Sequence, residues 1–348
     1  MPVSFAPPLP RTGPGPADAT GRELEPYLRL PLRRGARDRI KHMRLGSRGS
    51  ALARWQAHEI QRRLGERGHA CTIEIVQTTG DRRTDVVLGA IGGKGLFTKE
   101  IEDGLLNGEL DLAVHSLKDV PAELPEGLVL AAFPEREDAR DALVAAPGMT
   151  WMRLPAGARV GTSSLRRQAQ GLALRPDVNI VPLRGNVDTR LRRWRAGDFD
   201  ALLLAAAGLK RLGLSALVAE WLEPEQFCPA VGQGVLAIET RADDPVTQSV
   251  AQELHDASTA CAVAAERALL KRLGCGCQAP VAGYARLIDN RLRLEAVVAS
   301  PDGARLVRRA EEAAPGEAAE LGLRLAETLL AAGADEILRA IYADSEPR

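Results

Sequence analysis

Arg159-Val-Gly-Thr-Ser-Ser-Leu-Arg-Arg167 reads as a short buried strand, a tight glycine turn and a helix start capped by serine. Leu45-Gly-Ser-Arg-Gly-Ser50 has the same layout. Ser50 is expected to cap a helix that carries Leu52, Trp55, Ile60 and Leu64 on its buried side and closes at Gly65. Cys71 to Val76 alternates like a strand, and Asp111-Leu-Ala-Val114 is a buried-strand candidate that empties into His115-Ser-Leu-Lys-Asp119. A further echo pairs Gly108-Glu-Leu-Asp111 with Gly197-Asp-Phe-Asp200, each closing a helix and opening an apolar strand. The pattern predicts an α/β protein with two similar doubly wound lobes.

Outside these lobes the character changes at both ends. Residues 1–42 hold 8 of the 22 prolines and little apolar periodicity, and are read as a disordered extension, with Met43 a possible alternative start. From about residue 256 an Ala-rich helix runs to Leu273, a loop passes Pro280, strands follow at Val281–Leu287 and Arg291–Ala299, and a C-terminal helix carries Leu321, Leu325 and Leu329. This part is expected to be a smaller α+β domain.

Composition narrows the function. The 348 residues carry 46 basic and 46 acidic side chains, so no overall charge draws the chain to nucleic acid, and aromatics at 3% leave few stacking platforms. No run approaches about 18 uninterrupted apolar residues, so neither a membrane span nor an export signal is expected. Five scattered cysteines in a chain of this size fit a reducing cytoplasm better than a disulfide framework. The histidines never fall at ligand spacing, so no metal is expected. Gly89-Ala-Ile-Gly-Gly-Lys94-Gly95 lacks both the spacing and the hydroxyl of a nucleotide phosphate loop.

Charge placement is more informative. Between Arg159 and Arg195 stand nine arginines against two aspartates. Such a run is often a solvated face, but Arg166, Arg167 and Arg184 sit at strand-to-helix turns, which line the ligand crevice of open α/β sheets and already favour anions. Only six basic residues are lysine, and three of them, Lys94, Lys99 and Lys118, fall within 25 residues. Asp119 suits acid–base chemistry or the stabilisation of a cation, although a cap before Pro121 is the commoner use of an aspartate there. His115 reads as a hydrogen-bonded strand-end residue. Cys277 follows a helix C-terminus, which does not activate a thiol, leaving a structural cysteine or a covalent anchor for a strong electrophile.

Seven segments together resemble the porphobilinogen deaminase (hydroxymethylbilane synthase) family. They are Gly46–Ala53, Gly92–Phe97, Ala113–Pro121, Val160–Arg167, Leu183–Arg190, Pro229–Gly234 and Gly276–Pro280, in the family's order. The resemblance implies two lobes like those of periplasmic binding proteins and a third domain, divided as 43–135 with 235–253, 140–230 and 256–345. It implies a dipyrromethane cofactor joined by thioether to Cys277, onto which four porphobilinogen units condense with loss of ammonia before hydroxymethylbilane is released. Asp119 is then the catalytic residue, stabilising an azafulvenium-like cation. The implied cofactor contacts are Lys118, Ser116, Thr162, Ser163, Ser164, Arg166, Arg167 and Arg190. Those for substrate are Arg48, Ser50, Lys94, Phe97, Arg184, Arg211 and Gln233. Partners are porphobilinogen and the growing oligopyrrole, with no metal, nucleic acid or membrane, and a monomer is expected. Two departures stand out: Ala90 occupies a position where many relatives have lysine, and Cys275 lies two residues before the anchor. A two-lobed anion receptor without catalysis is the alternative.

Overall fold

A computed structural model describes residues 42–82, 97–275 and 279–343. In the first half the strands are β1 (Met43–Arg48), β2 (Cys71–Val76), β3 (Leu112–Ser116), β4 (Leu128–Ala132), β5 (Asp141–Val144) and β6 (Arg159–Gly161). They continue as β7 (Asn179–Val181), β8 (Ala201–Ala205), β9 (Val218–Leu222), β10 (Leu236–Arg241), β11 (Val281–Ile288), β12 (Arg291–Ala299) and β13 (Leu306–Ala313).

They form two five-stranded sheets of one plan, β2-β1-β3-β10-β4 and β7-β6-β8-β5-β9, and a three-stranded sheet β11-β12-β13. In each large sheet the first three strands are parallel and the fourth runs antiparallel to both neighbours. The antiparallel strand is supplied by a chain crossing between the lobes: β5 comes directly from the first lobe, and β10 returns from the second.

The sequence echo has a physical cause. Asp111 accepts from the backbone N–H and the guanidinium of Arg44, which also reaches the Gly108 carbonyl. Asp200 does the same for Arg159, which reaches Gly197. In both lobes the aspartate thus locks the start of the third strand to the first, and the glycine takes the left-handed turn that ends the preceding helix.

Ser50 caps the helix Ala51–Gly65 by accepting from the Ala53 N–H, but the buried face differs from expectation. Gln56, Ala57, Ile60 and Leu64 are buried, whereas Trp55 is 36% exposed. The helix lies at the mouth of the lobes, and Trp55 meets Arg211 of the second lobe, with the guanidinium 5.8 Å from the ring centre.

The two crossing segments touch where Glu137 N–H donates to Gly234 O at 3.2 Å. Gly234 has φ +88°, and a Cβ there would lie 2.3 Å from the Glu137 carbonyl oxygen, so only glycine allows this contact. The third unit packs its sheet against the helices Ala257–Leu273 and Ala318–Leu329, with Leu269, Leu294, Leu321 and Leu325 at its core. Sequence reading missed β13 there. This unit is bolted to the crossing by Glu266, fully buried, which accepts from Arg136 at 2.5 Å, Gly232 N–H at 2.6 Å and Ala285 N–H at 2.8 Å. Among the described residues no helix is long and apolar enough to cross a membrane.

Candidate active site

The end of β3 and the turn after it present Ser116, Lys118 and Asp119. Ser116 and Asp119 border a cavity of about 60 Å³ with Arg48, Ser50, Gln56 and Phe97. The Arg48 guanidinium lies over the Phe97 ring, 4.2 Å from its centre, a stacking that holds the cation at the cavity edge. Gln56, invisible in sequence because a polar helix residue reads as solvated, is buried and donates to Ser116 Oγ at 2.8 Å.

Opposite stands the second lobe. Arg190 donates from Nε to the Gly185 carbonyl at 2.8 Å. Burial and the nearby Arg167 push its guanidinium down to about 10, Asp119 pulling the other way and Arg184 adding to the repulsion. Burial and Arg167 likewise push the Lys118 ammonium down to about 8. Among the described residues, Lys118, Arg166, Arg167, Arg184 and Arg190 thus gather around the carboxylates of Asp119 and Asp141. A cluster so rich in positive charge is costly unless an anion enters it.

Asp141 lies beneath and was not singled out in sequence, although a charged residue opening the apolar run Ala142–Val144 was a signal. Its fully buried carboxylate accepts from Arg166 at 2.7 and 3.2 Å, from Arg167 Nε at 2.9 Å and from Gln233 Nε2 at 2.9 Å. Burial alone would raise its pKa, yet Arg166 and Arg167 hold it well below the usual carboxylate range. The remaining Arg166 contact is the Cys228 carbonyl at 2.7 Å. Gln233 spends its amide N–H groups on Ala139 O and Asp141, and its carbonyl faces Lys118 Nζ at 3.4 Å and Arg167 Nη2 at 3.5 Å. Arg166 and Gln233 thus make these contacts in the lobe crossing, where they neutralise and hold a buried carboxylate. Arg211 also turns to the crossing, donating to Gly234 O at 2.7 Å.

The hydroxyls divide by role. Ser50 and Ser164 accept as helix caps, from Ala53 N–H and Arg167 N–H, and keep their own protons to donate. Ser163 gives its proton to Leu183 O at 2.9 Å, which pins the turn after β7. Thr162 accepts from Ser164 N–H at 3.2 Å. Lys94, Ala90 and Cys277 lie outside the described residues.

Two pH responses follow. As pH rises past about 8 the Lys118 ammonium loses its charge. KM for an acidic substrate should therefore climb above that pH, and Lys118→Arg should move the rise upward, as read from kcat/KM between roughly pH 6.5 and 9.5. Separately, Glu102 of the helix Lys99–Leu106 is buried, and burial, with Glu239 adding, pushes its carboxyl up. The folded state keeps this proton while the unfolded state loses it above the ordinary glutamate range, about pH 4.3, so stability falls as pH climbs from there. Glu102→Gln should thus melt higher than the parent at neutral pH, with the gap closing toward about pH 4 in thermal denaturation.

Fold and site define a two-lobed α/β protein whose cleft gathers cationic side chains around an exposed carboxylate, Asp119. The family model described as porphobilinogen deaminase, dipyromethane cofactor binding domain matches residues 43–249, and that of the porphobilinogen deaminase C-terminal domain matches 260–331. A porphobilinogen deaminase of Syntrophotalea carbinolica is 50% identical over 301 residues, 86% of this chain and 96% of the relative. One from Nitratidesulfovibrio vulgaris strain DP4 is 52% identical over 309 residues, 87% and 98% of the two chains. The chain belongs to the porphobilinogen deaminase family. A lipoprotein of the YaeC family from Enterococcus faecalis V583 overlaps 62% of this chain and 90% of its own at 15% identity and a TM-score of 0.37, too slight a likeness to carry an argument.

Proposed function

We propose that this chain condenses four porphobilinogen molecules, with loss of ammonia at each step, and releases hydroxymethylbilane by hydrolysis. The observation that carries the reading is the excess of cations around Asp119 in a chain of this family. Every pyrrole of substrate and product bears an acetate and a propionate, so the growing chain is a polyanion that repels itself. Lys118, Arg167, Arg184 and Arg190 supply the compensating charge, and their mutual repulsion in the free cleft is relieved when carboxylates enter. A dipyrromethane with four carboxylates fits the same donor set. When bound, it supplies the pyrrole carbon from which chain growth starts.

Arg48, braced by Phe97, and the capping hydroxyl of Ser50 orient the incoming substrate at the cavity edge. Lys94 belongs to the same set by its place in the family motif. Asp119 faces the positive charge that develops as ammonia leaves the aminomethyl carbon and moves protons at that centre. Arg166 is assigned to the cofactor and Gln233 and Arg211 to the substrate by their places in the family motifs, and their contacts in the crossing also hold Lys118 and Arg167 at a set separation. Attachment of the dipyrromethane is assigned to Cys277. Cys275 supports this choice, since its thiol is buried among the third unit's apolar residues.

The domain division 43–135 with 235–253, 140–230 and 256–345, a monomeric state and a cytoplasmic location complete the reading. Family membership favours the enzyme over a non-catalytic anion receptor. Incubation of the purified chain with porphobilinogen, followed by acid oxidation, should yield uroporphyrin. Reversible binding without consumption of porphobilinogen would overturn the reading.

A further inference from the structure

Behind the cavity wall lies a group of buried acids that the condensation scheme leaves unused. His115 of β3 borders the cavity, and its Nε2 lies 2.9 Å from Glu239 Oε2 on β10, with both side chains almost wholly buried. Glu102, on the helix Lys99–Leu106, packs behind them, and Glu239 Oε1 and Glu102 Oε1 are buried with no hydrogen-bond partner among the described residues. The other charged groups nearby are Asp103 on that helix and, on the cavity side, Arg48 and Asp119.

Where Glu239 Oε2 accepts across this contact, the donor is the Nε2–H of His115. The other nitrogen, Nδ1, then carries a lone pair, in a residue that borders the cavity. Burial and, less strongly, Glu239 push the Glu102 carboxyl up from the ordinary glutamate range. A histidine held in one tautomer by a buried carboxylate is the arrangement of a base.

We propose that His115, oriented by Glu239, accepts the proton released at each condensation. This rests on the deaminase reading. When the carbon–carbon bond forms, the aminomethyl carbon loses ammonia and the attacking ring carbon loses a proton, its C–H electron pair returning to the pyrrole. The proton passes to Nδ1, giving an imidazolium paired with Glu239, and then to the departing ammonia, which leaves as ammonium. Asp119 remains the group that stabilises the developing cation, and Glu239 is a positioning residue.

The test combines nitrogen-15 NMR of the full chain labelled at its five histidines, with His115 assigned through His115→Gln, and steady-state kinetics of Glu239→Gln and Glu239→Asp. Wild-type His115 should be found in the Nε2–H tautomer, a preference lost in Glu239→Gln. Glu239→Gln should lower kcat about a hundredfold with KM within about twofold, and Glu239→Asp should recover part of the loss. A wild-type Nδ1–H tautomer overturns the proposal, and so does a kcat for Glu239→Gln near that of the parent. The tautomer is read on the wild-type chain, so the outcome stands even where Glu239→Gln fails to fold. A wild-type chain that consumes no porphobilinogen would instead sink the deaminase reading itself.

Discussion

Asp119→Asn should fold like the parent and lose about three powers of ten in turnover. The side chain is exposed at the end of the turn Leu117–Asp119, and among the described residues it accepts no hydrogen bond, so the fold does not depend on its charge. The reaction does. A full charge about 4 Å from the carboxylate, at an effective dielectric near 20, is stabilised by about 4 kcal/mol, and each 1.36 kcal/mol is about tenfold in rate. Asparagine keeps the shape and removes the charge, so kcat should fall while melting temperature stays unchanged. Parent-like turnover in Asp119→Asn would remove this residue from the chemistry.

The second large effect is expected at Asp141, where the loss is in stability as well as rate. Asparagine there would leave the guanidinium groups of Arg166 and Arg167 buried without a counter-charge. Breaking a buried pair from one side costs about 3–5 kcal/mol, equivalent to a fall in melting temperature on the order of 10 °C. The pH dependence has a definite sign. The folded pKa of Asp141 is depressed, so its contribution is fully present above the ordinary aspartate range and is lost as pH falls below it. The gap between parent and Asp141→Asn should therefore be widest near neutrality and narrow below about pH 4. Lys118 should suffer too, because Gln233, which faces its amine, is oriented by Asp141. A melting curve unchanged at neutral pH would show that the buried triad contributes nothing to the fold.

The parts of this molecule that could be read in sequence are those decided by near neighbours. Ser50 and Ser164 are caps because each lies three residues before the N–H it accepts. The echo of Gly108–Asp111 in Gly197–Asp200 was visible because helix stop, turn and strand start fall within four residues. The crossing was not visible in this way. β10 joins β3 from more than a hundred residues away, and nothing local in Leu236–Arg241 says which sheet it completes. The same distance hid Asp141, whose partners come from the helix Leu165–Leu174 and from the returning segment. Arg166 and Gln233 both bond Asp141 in the crossing, a tie that motif position alone does not show. Trp55 was misassigned for a related reason, since its contact belongs to the other lobe.

The claim on which all of this depends is that the cation-rich cleft serves an oligopyrrole tethered to Cys277, and mass spectrometry of the purified chain tests it most directly. The intact mass should exceed that of the sequence by one dipyrromethane, and fragmentation of the tryptic peptide should place the addition on Cys277. An unmodified thiol at Cys277, or an addition on the buried Cys275, would contradict it.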